Sequence, residues 1–136
     1  MAKNTTYVPN NDYNVNILET SREFTKRERI MLKDVSNAIK LDDAVASDGT
    51  PLVVTPVAFA VLQIHNGKSK SNPDYNNYII LDKDNNKYVT GSPSFWSAFT
   101  SIWSEMQDEE IGWSIEIYKR PSKNFNGKDF ITCSII

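Results

Sequence analysis

The spacing of apolar residues changes period twice along this chain, and the changes mark out its elements. "LVVTPVAFAVLQIH" (residues 52–65) is almost continuously apolar and rich in β-branched and aromatic residues, which predicts a strand. Pro56 has no N–H to donate, so the first part of that strand must be an edge or a bulge. "NYIILD" (77–82) reads as a second strand, "KDNN" (83–86) as a hairpin turn whose asparagines supply positive φ, and "KYVTG" (87–91) as the returning strand. The period then lengthens. In "SPSFWSAFTSIWSEM", Phe95, Phe99, Ile102 and Met106 recur at spacings of four, three and four, and Trp96 and Trp103 widen the same face. Ser92 is a good N-cap and Pro93 suits the first helical position. The acids of "QDEEIG" oppose the helix macrodipole, so the predicted stop leans on Gly112. "WSIEIYK" (113–119) alternates strictly, Trp113, Ile115 and Ile117 one way and Ser114, Glu116 and Tyr118 the other. "DFITCSII" (129–136) is the last strand.

The first 50 residues carry weaker signals. Residues 1 to about 16, rich in Asn and Thr, read as an arm. Thr25, with Glu28 three places later, makes a capping box ahead of "KRERIMLKDV" and predicts a short helix. The competing reading is an irregular arm running into a strand at "NAIKL". "KRER" (26–29) reads as a solvated helix face. "ASDGTP" (46–51) is a turn cluster, so the expected division is an N-terminal arm with a short helix (1–50) and a β domain (51–136).

Five strands with one helix between the third and fourth is the chain order of a five-stranded OB-fold barrel, and the predicted class is mainly β. A small α+β sandwich with the same strand count is the competitor. An OB-fold binds oligonucleotides with strands 2 and 3 and the loops joining strands 1–2 and 4–5. Here those loops are "NGKSKSNPDYNN" (66–77) and "RPSKNFNGK" (120–128). Lys68 and Lys70 lie in the first; Lys119, Arg120, Lys123 and Lys128 border or fill the second. Tyr75 and Phe125 add rings to the loops, Tyr78 and Tyr88 lie on strands 2 and 3, and Tyr118 lies on strand 4. Cations for phosphates and flat rings for bases are what single-strand binding needs. Four phosphate contacts give a salt slope of roughly −3, an affinity loss of about fifty-fold between roughly 50 and 200 mM salt.

Composition narrows this reading. The chain has 136 residues, enough for one domain, and 11% aromatics, enough to fill a core and leave rings for a surface. The net charge of −2 argues against indiscriminate coating of nucleic acid but leaves room for a local basic groove. Cys133 is the only cysteine, so no intramolecular disulfide is expected; its apolar surroundings predict a buried, inert thiol. His65, the one histidine, reads as a surface or hydrogen-bonded residue, and no metal or cofactor site is expected. The carboxylate pairs read as solvated turns and helix ends; "DKDNN" lacks the glycine and glutamate of a calcium loop. No catalytic motif is present, so the expected activity is non-enzymatic. No apolar run reaches 18 residues, so no membrane partner is expected.

"NYIILDKDNNKYVTGSPSFWSAF" and "IEIYKRPSKNFNGKDFITCSI" together resemble phage-encoded single-stranded DNA-binding proteins of the OB type. The likeness covers about residues 52–136 and is one of pattern. It implies binding of single-stranded DNA in phage replication or recombination, in the cytoplasm of a bacterial host. It leaves open a second copy of the chain, and replication or recombination proteins, as further partners. The chain departs from the cellular members of that family in ending "CSII" rather than in an acidic tail. The alternative is a small protein–protein interaction module, a host-defence inhibitor or an assembly adaptor, which would use residues 1–50.

Overall fold

The computed structural model describes residues 12–121 and 129–136. Its elements run β1 (Tyr13–Thr20), α1 (Lys26–Lys33), β2 (Ile39–Lys40), α2 (Leu41–Ala44), β3 (Leu52–Val54), β4 (Pro56–Asn66), β5 (Asp74–Asp82), β6 (Lys87–Thr90), α3 (Pro93–Met106), β7 (Ile115–Pro121) and β8 (Asp129–Ile135). The protein is mainly β. Its strands form two sheets, in the orders β1-β4-β5-β6-β2 and β3-β7-β8. All pairs are antiparallel except β2 with β6. Thr55 alone separates β3 from β4, so residues 52–66 pass through both sheets. The register against β5 shifts between Pro56 and Ala58, the bulge that proline demands. Among the described residues the sheets do not close into the expected barrel. The outer edge of β6 is occupied by β2, with Ile39 opposite Tyr88 and Lys40 opposite Val89.

The five-stranded sheet is covered on both faces, because successive residues of a strand point to opposite sides. Phe59, Ile80 and Tyr88 face a core built with Phe95 and Phe99 of α3 and Ile115, Ile117, Ile131 and Cys133 of the smaller sheet. Their neighbours Ala60, Leu62, Ile64, Ile79 and Val89 face a second core closed by Leu32 of α1, with Val15, Ile17, Phe24, Val35 and Ala38 at its margin. Burial on both faces is why β4 reads as one apolar run rather than an alternation.

The predicted helix is α3: the Ser92 hydroxyl accepts from the Phe95 N–H, Pro93 opens the first turn, and Phe95 and Phe99 are fully buried. Its stop differs from expectation. Gln107, still in helical conformation, is the C-cap, and Gly112 lies beyond it. The capping box also forms, with Glu28 N–H donating to Thr25 Oγ1 at 3.1 Å and Thr25 N–H donating to Glu28 Oε1 at 2.8 Å. The leader departs most from expectation. From Tyr13 it is not an arm but strand β1, paired along β4 from Tyr13 opposite Asn66 to Thr20 opposite Ala60. Val15 and Ile17 turn toward the second core, and that burial overrides the low strand preference of Asn14 and Asn16. No helix among the described residues is long and apolar enough to cross a membrane.

Candidate functional site

An open cleft of about 420 Å³ is lined by Gln63 of β4, by Asp74, Tyr75, Asn76 and Tyr78 of β5, and by Gly91 and Pro93 ahead of α3; Gln63, Asn76 and Tyr78 share one face of the sheet, whereas Tyr75, opposite Ile64, alternates to the other. Tyr78 is braced from behind. One face of its ring stacks on Trp96, with centroids 4.8 Å apart and planes 15° from parallel, and Trp96 in turn stacks on Phe99 at 5.0 Å. The ring is thus held in place before any ligand arrives. Tyr75 is 37% exposed. It was expected in a loop, but β5 begins at Asp74, which puts Tyr75 opposite Ile64 on the strand itself. Gln63 and Asn76 are paired across the strands and bring two amide side chains to the cleft. The expectation missed both. Their signal was the failure of alternation to continue: Gln63 interrupts an apolar run on the α3 side of the sheet, where a buried strand would carry another Val.

The connection after β4 presents Lys68 and Lys70, both exposed. It is held by its own turns, with Ser69 N–H donating to Asn66 O at 3.0 Å and Lys68 N–H to Asn66 Oδ1 at 3.2 Å. His65 Nδ1 lies 2.7 Å from Asp74 Oδ1 and ties the two strands together at the base of this connection. The Asp74 carboxylate repels a phosphate at that end of the cleft but suits a donor such as an exocyclic amine.

Tyr88 does not join the site. It is buried, and its hydroxyl donates to Asp82 Oδ2 at 3.1 Å. It shares a face of the sheet with Ile80, its partner in register, and that face is the larger core, so no base can reach the ring. Lys119 and Arg120 lie on β7, opposite Ile131 and Phe130 of β8. The Arg120 guanidinium sits 5.7 Å from the centre of the Tyr118 ring, and the Tyr118 hydroxyl lies 2.7 Å from Ser134 Oγ. Phe130 of β8, 38% exposed, adds a ring beside Arg120. Lys123, Phe125 and Lys128 lie outside the described residues.

The two cationic groups leave from different places on the sheet. Leu52 pairs with Ile117, so Lys119 and Arg120 lie beyond the start of β3, whereas Lys68 and Lys70 follow Asn66 at the end of β4. They stand at opposite ends of residues 52–66, and the tyrosine cleft belongs to the Lys68–Lys70 end. Among the described residues, no group of three or more His, Cys, Asp and Glu is placed to hold a metal ion. Burial pushes the Cys133 thiol up to about 12, which removes it as a nucleophile. No family model, curated protein or solved structure matches this chain.

Proposed function

We propose that this protein binds single-stranded DNA without catalysing a reaction, and that bases are held by Tyr78 in the cleft and by Tyr75 on the other face of β5. The observation that carries the reading is a braced ring, Tyr78, with two amides in one open cleft, beside a connection bearing two exposed lysines, while Tyr75 offers a second, part-exposed ring on the other face of the same strand. A base stacks on a ring whatever its identity, and the amides of Gln63 and Asn76 can donate to or accept from its edge. Lys68 and Lys70 then meet the phosphates, and Arg120 with Phe130 and Tyr118 extends the contact on the smaller sheet. The strand order supports an OB-type arrangement. Residues 52–66 pair first with β7 and then with β5, and α3 lies between β6 and β7. That arrangement would be an open one, since β2 takes the edge on which closure would occur.

Tyr75→Ala is the clean test, because Tyr75 is not part of the ring stack behind Tyr78. Its loss is expected to weaken binding to poly-dT by about 1–3 kcal/mol, with little dependence on base sequence. Lys68→Ala and Lys70→Ala are each expected to make the salt slope less negative by roughly 0.7. A fluorescence titration in which Tyr75→Ala binds as tightly as the wild type would remove Tyr75 from the site. Indifference of the wild type to DNA, with a defined partner in a pull-down, would favour the protein-binding alternative.

A further inference from the structure

Helix α1 carries Lys26, Arg27, Arg29 and Lys33, all exposed, within eight residues of a protein whose formal net charge is −2. None of the four is in an ion pair. Among the described residues the ion pairs are Arg22 with Glu28 at 3.2 Å and His65 with Asp74. The one acid of the helix is therefore already matched by Arg22. At 3.6 residues per turn, Leu32 and Glu28 share the inner face, Lys26, Ile30 and Lys33 share the outer one, and Arg27 and Arg29 flank it on either side. The helix is fixed to the sheet by buried Leu32 and by its capping box. The Lys87 ammonium fixes it again, donating to Met31 O at 2.6 Å and Asp34 O at 2.5 Å. Four like charges are thus held on a rigid element, and among the described residues no carboxylate is paired with any of them.

The inner face of the same helix, through Glu28, Met31 and Leu32, borders a cavity that none of the four cations lines. A cleft of about 480 Å³ runs between α1 and the β5–β6 hairpin, lined by Phe24, Asn37, Val57, Leu81 and Asn85 among others. Its apolar floor and amide rim suit a flat ring with polar edges. The Arg22 guanidinium lies 4.0 Å above the Phe24 ring at its side. By strand alternation Tyr75 is on the same face of the sheet as Ile79, the face that α1 covers. Five residues of β5, a span of roughly 20 Å, separate Tyr75 from Leu81.

We propose that α1 and the cleft beneath it are a second contact for the same single strand, with Lys26, Arg27, Arg29 and Lys33 on the phosphates and an unstacked base in the cleft. Tyr75 and α1 lie on the same side of the sheet with buried Ile79 between them, so the strand stacks on Tyr75 and passes over the outside of that core to α1. This inference rests on the single-strand reading.

The test compares wild type with the Lys26→Ala, Arg27→Ala, Arg29→Ala, Lys33→Ala variant on poly-dT across a salt series. Alanine favours the helix and the capping box is untouched, so the fold is kept, which thermal unfolding checks. The expected slope for the wild type is steeper than the value of roughly −3 that four contacts supply, and the variant loses roughly 2–3 of it. Its affinity near 0.1 M salt falls by about a hundredfold or more. Should the variant be poorly folded, the wild-type slope alone decides: a value no steeper than roughly −3 leaves no phosphates for α1. If wild type and variant bind with equal slopes, α1 is not a contact while the tyrosine site on β5 stands. If the wild type does not bind poly-dT at low salt, both readings fall. If the variant binds DNA normally but loses retention on anionic lipid vesicles, the face is a membrane contact and the proposal is wrong.

Discussion

In the β5–β6 hairpin, Asp82 accepts hydrogen bonds from Asp84 N–H at 2.9 Å, from Asn86 N–H at 2.8 Å and Asn86 Nδ2 at 3.0 Å, and from the Tyr88 hydroxyl. Asn85 takes the positive φ of 66° between them. Burial raises the Asp82 pKa, but the Asn86 side chain and backbone, the Asp84 backbone and the Tyr88 hydroxyl outweigh it, so the carboxyl is held below its ordinary range. The unfolded chain therefore binds the proton more readily than the folded one. The stability Asp82 contributes is fully present above the unfolded carboxylate value, about 3.9, and is lost as pH falls through the lower folded value. Asp82→Asn keeps the shape and removes the charge, and is expected to cost about 1–3 kcal/mol at neutral pH. Its unfolding temperature, followed by circular dichroism from neutral pH into acid, should fall less steeply below about pH 4 than that of the wild type. Parallel acid limbs would place the acid sensitivity on other carboxylates. The same hydrogen bond explains why Tyr88 serves the core: the only polar atom of its ring already has a buried partner.

Elements with one strong period were legible in the sequence, and elements defined by their neighbours were not. The apolar positions of α3 repeat at helical spacing and its cap is local, so residues 93–106 could be read directly. The hairpin was legible for the same reason, since turn and register are set within a dozen residues. By contrast β1 is specified by its pairing with β4, more than 40 residues away, and its asparagines masked the period of two. Two-residue β2 falls inside "NAIKL", which the sequence offered as a strand only in the competing reading without a helix; both elements form. The rings could be named from sequence but not aimed. Tyr78 and Tyr88 share a face of the sheet, yet Tyr78 lines the cleft and Tyr88 is buried in the larger core, while register turns Tyr75 to the other face. For α1, the box that marked it also stabilises it. Thr25→Ala leaves the Glu28 N–H without its acceptor and is expected to lower stability by about 0.5–2 kcal/mol, while Thr25→Ser retains most of it. Urea midpoints of the three proteins check this, and an unchanged midpoint for the alanine variant would mean that packing of Leu32 alone sets the helix.

At the scale of the molecule, an apolar run such as "VAFAVL" already implied two buried faces, and α3 can cover only one of them. The other cover comes from the first 50 residues: Leu32, Phe24, Val35 and Ala38 around α1, and Val15 and Ile17 on β1. Without them Leu62, Ile64, Ile79 and Val89 would face water. At about 1.5–3 kcal/mol for each large side chain, that exposure costs roughly 6–12 kcal/mol. Native domains have only about 5–15 kcal/mol in total. The fragment 51–136 would also lose the β1 partner of β4 and leave an apolar strand at the sheet edge, which invites association. The fragment is therefore expected to lack a cooperative urea transition, to bind a dye that reports exposed apolar surface, and to aggregate, while the full chain unfolds in one step. A soluble, monomeric fragment with a sharp transition would show that the smaller sheet and α3 suffice, and that β1 and α1 are additions to a core complete without them.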